Sequence, residues 1–306
     1  MYLITTLGPL DQTKTGVILP HEHIFVDLRT SDQSNYAQAE PENVIALMEP
    51  QLREAKKAGV DIIVESTPVG VGRRADLVKT VSKAADFPLI IPTGIYREPW
   101  IPEKFHEMEE DELCEWMAKE LEDEIENTGV KAGWIKLSAG DNGMTTCEEK
   151  ILRAAAKAAM KTNSVIGSHT VRGRVAKEQL SIIEECGYSP ERFIWIHAQK
   201  EPDFDLNLDL AWSGAWIEYD SIGDDIYTEV IYDRIFKILD AGLGDQILLS
   251  HDRGWYDPAQ PGGGTPRPFT YLTQTFVPRL RDAGLDEKTI RQLISNNPFY
   301  AFARLE

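Results

Sequence analysis

Short apolar runs alternate with amphipathic segments of helical length along the whole chain, and this alternation constrains the fold more than any other feature. The pattern is typical of βα units arranged around a parallel sheet. We identify eight such runs, namely Val17–His23, Val60–Glu65, Leu89–Thr93, Trp134–Ser138, Val165–His169, Phe193–His197, Trp216–Tyr219 and Ile247–His251.

The segments between the runs have helical periodicity. Apolar side chains recur at helical spacing within residues 113–125, amid acidic residues that we assign to a solvated face. Thr146 is followed three residues later by Glu149, which predicts a capping box at the start of an Ala-rich helix. A further helix is predicted from Val175 to Cys186. Each strand is therefore followed by its own helix.

Eight strand–helix pairs predict a closed (β/α)₈ TIM barrel rather than an open doubly wound sheet. Neither GxGxxG nor GxxxxGK[ST] occurs, so no motif supports nucleotide binding. Residues 1–16 predict a short N-terminal hairpin or arm, and residues 1–306 fit one barrel domain. The connection after the eighth strand contains residues 262–264, which are all glycine. This connection could be a lid over the site or a plain flexible loop, and the sequence favours neither interpretation.

The charge and the termini limit the possible partners. The net charge of −18 argues against binding to nucleic acid, which requires clustered Lys and Arg. The first ten residues contain no basic region followed by an apolar run, and no stretch approaches the length of a membrane span. We expect a cytoplasmic protein, a homodimer, that acts on a small molecule and binds neither nucleic acid nor a membrane.

Five of the six histidines fall at the carboxyl ends of predicted strands, the face where barrels carry their active sites. His21 and His23 flank Glu22, and because strand side chains alternate, both imidazoles should face the barrel mouth while Glu22 faces away. His169 and His197 end the fifth and sixth runs. Any one of these histidines alone is more simply explained as structural, but their joint placement indicates a metal site.

Two further ionisable residues lie within or directly after a predicted apolar strand. Asp252 follows the eighth run, where a carboxylate needs a hydrogen-bond donor, a counter-charge or a metal. Lys136 lies inside the fourth run, where burial would lower its pKa from about 10.4 and favour the neutral amine. A neutral amine can add CO₂ and become a carbamate that bridges two cations; a lysine that reaches solvent or pairs with a carboxylate is the alternative. His251 should face away from the site, and His106 is expected at the surface.

The order HxH, Lys, His, His and Asp along the strands resembles the amidohydrolase superfamily and, within it, the phosphotriesterase-like lactonase family. The resemblance extends over essentially the whole chain and is specific. The segments that resemble the family are Thr6–Pro9, Leu19–His23, Trp134–Lys136, Gly167–Thr170, Leu249–Asp252 and Asn296–Pro298.

The resemblance implies a binuclear centre of two divalent ions, zinc by preference, with manganese, cobalt or iron as substitutes. It implies that a bridging hydroxide attacks the substrate, that Asp252 takes the proton, and that Tyr96 lines the site. The implied ligands are His21, His23 and Asp252 for the buried ion, His169 and His197 for the second ion, and a carboxylated Lys136 that bridges the two.

The loops expected at the barrel mouth depart from the family pattern and leave the substrate open. Ser221 stands where many lactonases of the family carry Arg, and Arg253 opens the loop after the eighth strand. Cations in these loops suggest a lactone or related ester with an anionic group, such as a phosphorylated or carboxylated sugar lactone, although pairing with neighbouring acids is an equal alternative. These cations are Arg97, Arg172, Arg174, Lys200, Arg253 and Arg267. The residues predicted to bind that substrate are Arg97, Arg253, Arg267 and Tyr271.

Other functions remain open at this point. One is a phosphotriesterase-type organophosphate hydrolase or a hydrolase of neutral lactones. Another is a mononuclear deaminase, which would not need Lys136. A TatD-like nuclease is disfavoured by the acidic charge. A barrel that binds metal without turnover is disfavoured by the intact ligand set.

Overall fold

The computed structural model describes residues 1–304. A two-stranded antiparallel hairpin opens the chain, and parallel strands then alternate with helices to its end. The strands are β1 (Leu3–Thr5), β2 (Gly8–Leu10), β3 (Val17–Phe25), β4 (Val60–Glu65), β5 (Leu89–Ile90), β6 (Pro92–Thr93), β7 (Trp134–Ser138), β8 (Ile166–His169), β9 (Phe193–Ile196), β10 (Trp216–Tyr219), β11 (Ile247–Leu249) and β12 (Gly254–Tyr256).

The parallel strands form a barrel in chain order. β3, β4 and β5 pair in sequence, and β6 to β11 pair likewise. The ring closes between its first and last strands, where the Asp252 amide donates to the carbonyl of His21 (3.1 Å) and the His23 amide donates to that of Arg253 (2.8 Å). The prediction of a TIM barrel with an N-terminal hairpin is confirmed.

The predicted strand boundaries needed small corrections. The run predicted as Leu89–Thr93 is two short strands separated at Ile91, because Pro92 has no amide hydrogen for a regular ladder. The first strand extends to Phe25, and the last ends at Leu249, so that His251 and Asp252 belong to the loop.

The helices surround the barrel, and shorter 3₁₀ and π segments fill several connections. The α-helices are α1 (Pro41–Lys57), α2 (Ala75–Ala85), α3 (Glu103–Glu107), α4 (Glu110–Glu122), α5 (Thr146–Thr162), α6 (Gly173–Glu185), α7 (Asp205–Trp212), α8 (Thr228–Asp240), α9 (Val277–Asp282), α10 (Glu287–Arg291) and α11 (Asn297–Phe302). The 3₁₀ segments are Gln12–Lys14, Pro190–Arg192, Ala198–Lys200, Gly244–Gln246 and Pro261–Gly263, and the π segments are Leu272–Phe276 and Gln292–Asn296.

The capping box of α5 lies one residue earlier than predicted. The Thr145 hydroxyl accepts the amide of Glu148 (3.2 Å), and the Glu148 carboxylate accepts the amide of Thr145 (2.9 Å). The box therefore does not involve Thr146 and Glu149, since the chain becomes helical only after Thr145. No helix within residues 1–304 combines the length and apolar character needed to span a membrane.

Two glycines let the strand ends approach one another at the carboxyl face. Gly94 has a φ of +107°, and a Cβ there would collide with the carbonyl group of Lys136. Gly254 has a φ of +93°, and a Cβ there would collide with the carbonyl oxygen of His23. Only glycine adopts this backbone conformation without strain at such close contacts. Both glycines thereby fix the spacing of strands that carry candidate site residues.

Candidate metal centre

The six side chains predicted as metal ligands lie together at the carboxyl end of the barrel. Nδ1 of His169 lies 2.7 Å from Nε2 of His197, and the rings of His21 and His197 have centroids 5.2 Å apart. Oδ1 of Asp252 lies 3.2 Å from Nε2 of His23. Ligand atoms of His21, His197 and Asp252 all lie within 4.8 Å of one another. This spacing allows several of these groups to share an ion.

Two carboxylates at the end of β10, Glu218 on the strand and Asp220 directly after it, orient two of the imidazoles. Nδ1 of His21 lies 2.7 Å from Oε1 of Glu218, and Nδ1 of His197 lies 2.7 Å from Oδ1 of Asp220. Both acids are completely buried. A carboxylate on Nδ1 favours the tautomer whose Nε2 carries a free lone pair, the arrangement found around metal-bound histidines.

His23 is held by a hydroxyl group instead. Its Nδ1 lies 2.7 Å from Oγ1 of Thr67, and that hydroxyl donates its only hydrogen to Glu65 (2.5 Å). Thr67 must therefore accept a hydrogen bond from Nδ1 of His23, which leaves Nε2 of His23 as the lone-pair nitrogen. Nε2 is also the atom that faces Asp252, so the candidate ligand atoms of these two residues are neighbours.

Lys136 is buried among these ligands without a hydrogen-bond partner. Its side chain is 2% exposed, and no acceptor for Nζ occurs in the part of the chain that the structure describes. Burial lowers the pKa of the Lys136 amine to about 8, against the opposing charges of Glu218 and Asp220. An isolated buried ammonium is costly, whereas a carbamate on this nitrogen would offer two oxygens to the surrounding ligand set. The donor set therefore fits divalent ions.

Two imidazoles of the site, those of His21 and His169, are poor bases in this environment. Burial is the main cause that lowers the pKa of His21 and of His169 well below the ordinary value, and the charge of Lys136 adds to it. Neutral imidazole is the form that binds metal ions.

Burial has the opposite effect on the acid beside His21. It raises the pKa of Glu218 well above its usual range, and the charge of Asp220 adds to this effect.

Tyr96 lies beside the ligands, where it was predicted. Its hydroxyl is 3.2 Å from Nδ1 of His169, and its ring packs edge-on against Trp100. Burial raises the pKa of the Tyr96 phenol, so that the group is a neutral hydrogen-bond donor or acceptor.

A cavity of about 240 Å³ opens directly above the ligands. Much of its wall is apolar, and Lys200 is the cation in the wall besides Lys136. The lining residues outside the ligand set are Val26, Leu28, Ser66, Pro68, Val71, Tyr96, Lys200 and Trp255.

The four residues predicted to bind substrate lie outside this lining. The guanidinium of Arg253 donates to the carbonyl of Gly223 and stacks over the ring of Tyr271, 5.6 Å from its centroid. Arg267 donates to the carbonyl of Asp252 (2.7 Å). The guanidinium of Arg97 lies 5.3 Å from the ring centroid of Trp100. These three cations thus contact main-chain carbonyls and aromatic rings and do not line the cavity.

The loop after β11 is ordered by backbone hydrogen bonds. Gly254 and Arg267 exchange two of them (3.2 and 3.1 Å), and the amide of Asp257 donates to the carbonyl of Gly263 (3.0 Å). Within this loop β12 pairs with the end of β3, and Trp255 packs against the ring of His23. The loop therefore forms a fixed wall of the cavity in this structure.

Comparison with known proteins agrees with this architecture. The model of the phosphotriesterase family matches residues 1–302. The chain belongs to the phosphotriesterase family. A phosphotriesterase homology protein of Mycobacterium tuberculosis is 28% identical over 99% of this chain and 98% of its own length. An aryldialkylphosphatase of Saccharolobus solfataricus is 27% identical over 94% of this chain and 95% of its own length.

A solved structure shares the fold. A lactonase from Listeria monocytogenes superposes with a TM-score of 0.88 and 24% identity, and all of both chains is covered. As a member of the phosphotriesterase family, a group of metal-dependent hydrolases, the protein is a hydrolase that acts on esters. The predicted family and the predicted enzyme class are confirmed.

The sequence analysis missed the residues that hold the imidazoles. Glu218 lies within the apolar seventh run and Asp220 follows it, so a pair of acids at i and i+2 on a buried strand was the available signal. Such acids must find hydrogen-bond partners, and the nearby histidines supply them. Thr67, which orients His23, carries no comparable signal, because a threonine after a strand is common.

Proposed function

We propose that this protein is a binuclear metal-dependent hydrolase that opens a lactone, or a related ester, that carries an anionic group. The observation that carries this proposal is the convergence of five candidate ligands on the buried, unpartnered amine of Lys136, beneath a cavity of about 240 Å³. That volume is slightly below the usual range of pockets for drug-sized ligands, so it suits a small substrate.

The proposed ligands follow the donor set. His21, His23 and Asp252 would bind one divalent ion, and His169 and His197 a second, with Lys136 as a carbamate between them. Zinc suits mixed imidazole and carboxylate ligands. Bound there, the ions would polarise the substrate carbonyl and lower the pKa of water.

Side chains of this site would transfer the proton and contact the substrate. Asp252 would accept the proton of the attacking water as that oxygen bonds to the carbonyl carbon of the lactone. When the ring C–O bond breaks, the leaving alkoxide would take this proton from Asp252, and the product is a hydroxy acid. Tyr96 would contact the substrate as a neutral phenol, since burial raises its pKa.

Lys200 is the proposed partner of the anionic group, because it lies in the cavity wall close to the ligands. The cations predicted from the sequence, Arg97, Arg253 and Arg267, with Tyr271, would add positive charge and a hydroxyl at the rim. Apolar wall residues such as Val71 and Trp255 would cover the uncharged part of a small ring and exclude water.

The substrate class has support from the family and from the fold. The Listeria structure is that of a lactonase, and we adopt lactones as the substrate hypothesis. The Saccharolobus relative is an aryldialkylphosphatase, which makes phosphotriester hydrolysis the second candidate. In both reactions, activated water attacks an electrophilic centre. The metal ligands therefore do not distinguish the two substrates, and the residues of the cavity wall determine which one is bound.

A substrate screen with zinc-loaded and manganese-loaded protein tests the proposal. It compares a phosphorylated γ-lactone, a carboxylated lactone, a neutral lactone of equal ring size and a neutral aryl dialkyl phosphate. We expect kcat/KM for an anionic lactone to exceed that for the neutral lactone by about tenfold or more, as one charge-assisted hydrogen bond would give. Faster turnover of the phosphotriester would instead support the second candidate, and Asp252→Asn is the control that removes the proposed proton acceptor.

A further inference from the structure

Three metal-ligating side chains meet at a second place, separate from the ligands of the barrel mouth. Glu98 lies in the loop after β6, His106 lies on α3, and Cys147 lies in the first turn of α5. One donor atom from each lies within 4.8 Å of the other two. The loop after β6, the short helix α3 that follows it, and the more distant α5 therefore bring a carboxylate, an imidazole and a thiol close together.

The separation of Glu98 and His106 fits two ligands of one ion better than it fits a hydrogen bond. Nε2 of His106 lies 3.4 Å from Oε1 of Glu98. Hydrogen bonds between nitrogen and oxygen usually span about 2.7–3.2 Å. Two ligand atoms that each lie about 2.05 Å from a tetrahedral zinc ion are about 3.4 Å apart, and a thiolate and an imidazole about 3.6 Å.

The backbone around this cluster is fixed by neighbouring polar groups. The carboxylate of Glu148 accepts the amide of Glu98 (3.0 Å), which ties the loop to α5. The ammonium of Lys150 donates to the carbonyls of His106 (2.8 Å) and Met108 (2.6 Å), which ties the end of α3 to α5. Glu148 and Lys150 are thus engaged with main-chain groups, and the three candidate ligands are held by rigid surroundings.

We propose that Glu98, His106 and Cys147 bind an additional transition-metal ion, with zinc as the best fit and water at the fourth position. Thiolate, imidazole and carboxylate are all common zinc ligands. The side chains of His106 and Glu98 are 35% and 32% exposed, so an ion can enter from solvent. Burial raises the pKa of the Cys147 thiol, so binding of the ion would displace a proton.

The proposed ion would clamp the loop that follows β6 onto α5. Glu98 is two residues from Tyr96, which lines the cavity of the barrel mouth. Binding at this outer site would therefore stiffen one wall of the cavity without contact to the substrate. The proposal does not depend on the substrate or on the number of ions in the barrel mouth.

Cobalt substitution provides a readout that belongs to this site alone. None of the candidate ligands in the barrel mouth is a cysteine, so only the outer site can give a thiolate-to-cobalt charge-transfer band in the near ultraviolet. The full-length protein is loaded with Co²⁺ or Zn²⁺, and its absorption spectrum and metal content are compared with those of Cys147→Ser, His106→Ala and Cys186→Ser. Cys186 is a half-buried cysteine near Arg153 and serves as the matched control.

We expect the wild type and Cys186→Ser to show the band and to bind one more ion per chain than Cys147→Ser and His106→Ala. Because the result is a difference between variants, it holds whether the barrel mouth binds one ion or two. Zinc should also raise the Tm of the wild type more than that of Cys147→Ser. Equal metal content in all four proteins, or a cobalt spectrum without the charge-transfer band in the wild type, would overturn the proposal.

Discussion

A buried hydrogen bond between Glu22 and His251 joins β3 to the loop that follows β11. Oε1 of Glu22 accepts Nδ1 of His251 at 2.6 Å and the amide of the same residue at 3.0 Å. It also accepts the hydroxyl of Ser250 (2.8 Å), and Oε2 accepts the amide of Arg253 (2.8 Å). These contacts surround Asp252, which has a φ of +58°, and they fix a backbone that few non-glycine residues adopt.

Replacement of Glu22 by glutamine should therefore destabilise the fold and displace Asp252. One end of the glutamine side chain is a donor, and it would face groups that are themselves donors. We expect the free energy of unfolding to fall by about 2–4 kcal/mol, since buried donors would lose their acceptor. Urea denaturation of Glu22→Gln measures the effect, and metal content should fall with it. The exposed Glu184→Gln is the control, and an equal loss in both variants would contradict this role.

Lys136 should determine how much metal the protein binds. Lys136→Ala removes the amine, and Lys136→Arg keeps a charge but cannot form the carbamate. We expect the barrel mouth to bind about two ions per chain in the wild type after incubation with zinc and bicarbonate, and about one or none in both variants. The total metal content should therefore fall by about one to two ions per chain, with activity reduced more than about a hundredfold. Elemental analysis and ester hydrolysis measure the two effects. The exposed Lys119→Ala should behave as wild type, and full metal content in Lys136→Ala would refute the bridging role.

The barrel strands and the candidate ligands could be predicted because both depend on local pattern. An apolar run such as Val60–Glu65 or Trp134–Ser138 has the same boundaries in the structure as in the sequence analysis. Alternation along a strand placed His21 and His23 on one side and Glu22 on the other. The role of Glu22 itself was not predictable, because its partners follow a strand more than 200 residues away.

The residues that line the cavity were harder to predict for the same reason. Positive charge in a loop is visible in the sequence, but the direction of a long side chain depends on contacts that form only in the folded chain. Arg253 and Arg267 donate to main-chain carbonyls, whereas Lys200 lies in the cavity wall. His106 was expected at the surface, and only the fold brings it to Glu98.

Asp27 should make stability depend on acidic pH. Burial alone would raise the pKa of this carboxyl, but hydrogen bonds from the Arg29 side chain and from the amides of Ala37 and Arg29 outweigh burial, and the net pKa is lowered. A carboxyl whose pKa is lowered by folding stabilises the protein above its ordinary pKa of about 3.9, and this contribution is lost as the pH falls through the folded value.

The variant Asp27→Asn tests this dependence. At pH 7 it should unfold at a lower urea concentration than the wild type, by about 2 kcal/mol for the lost charge-assisted hydrogen bonds. As the pH falls below about 4 and then through the lowered pKa of folded Asp27, the two proteins should converge, because the wild-type carboxyl becomes protonated. Urea midpoints at several pH values measure the difference, with Asp282→Asn as an exposed control. A difference that persists unchanged at the lowest pH would show that the shape of Asp27, not its charge, is what matters.

Lys200 and Arg267 should differ in their effect on the binding of anionic substrates. Lys200 lies in the cavity wall, whereas Arg267 is exposed and donates to the carbonyl of Asp252. If Lys200 holds the anionic group, Lys200→Met should raise KM for a phosphorylated or carboxylated lactone by roughly ten- to hundredfold, the value of a charge-assisted hydrogen bond, and leave KM for a neutral lactone nearly unchanged. Arg267→Ala should change KM for both lactones by less than about threefold, since loss of a rim charge weakens attraction of the ligand without removing a direct contact.

Steady-state kinetics with the matched pair of lactones distinguishes the two residues. A steep rise of KM for the anionic lactone in Arg267→Ala, with none in Lys200→Met, would contradict the role of Lys200. It would instead support Arg253 and Arg267, which the sequence analysis predicted to bind the anionic group.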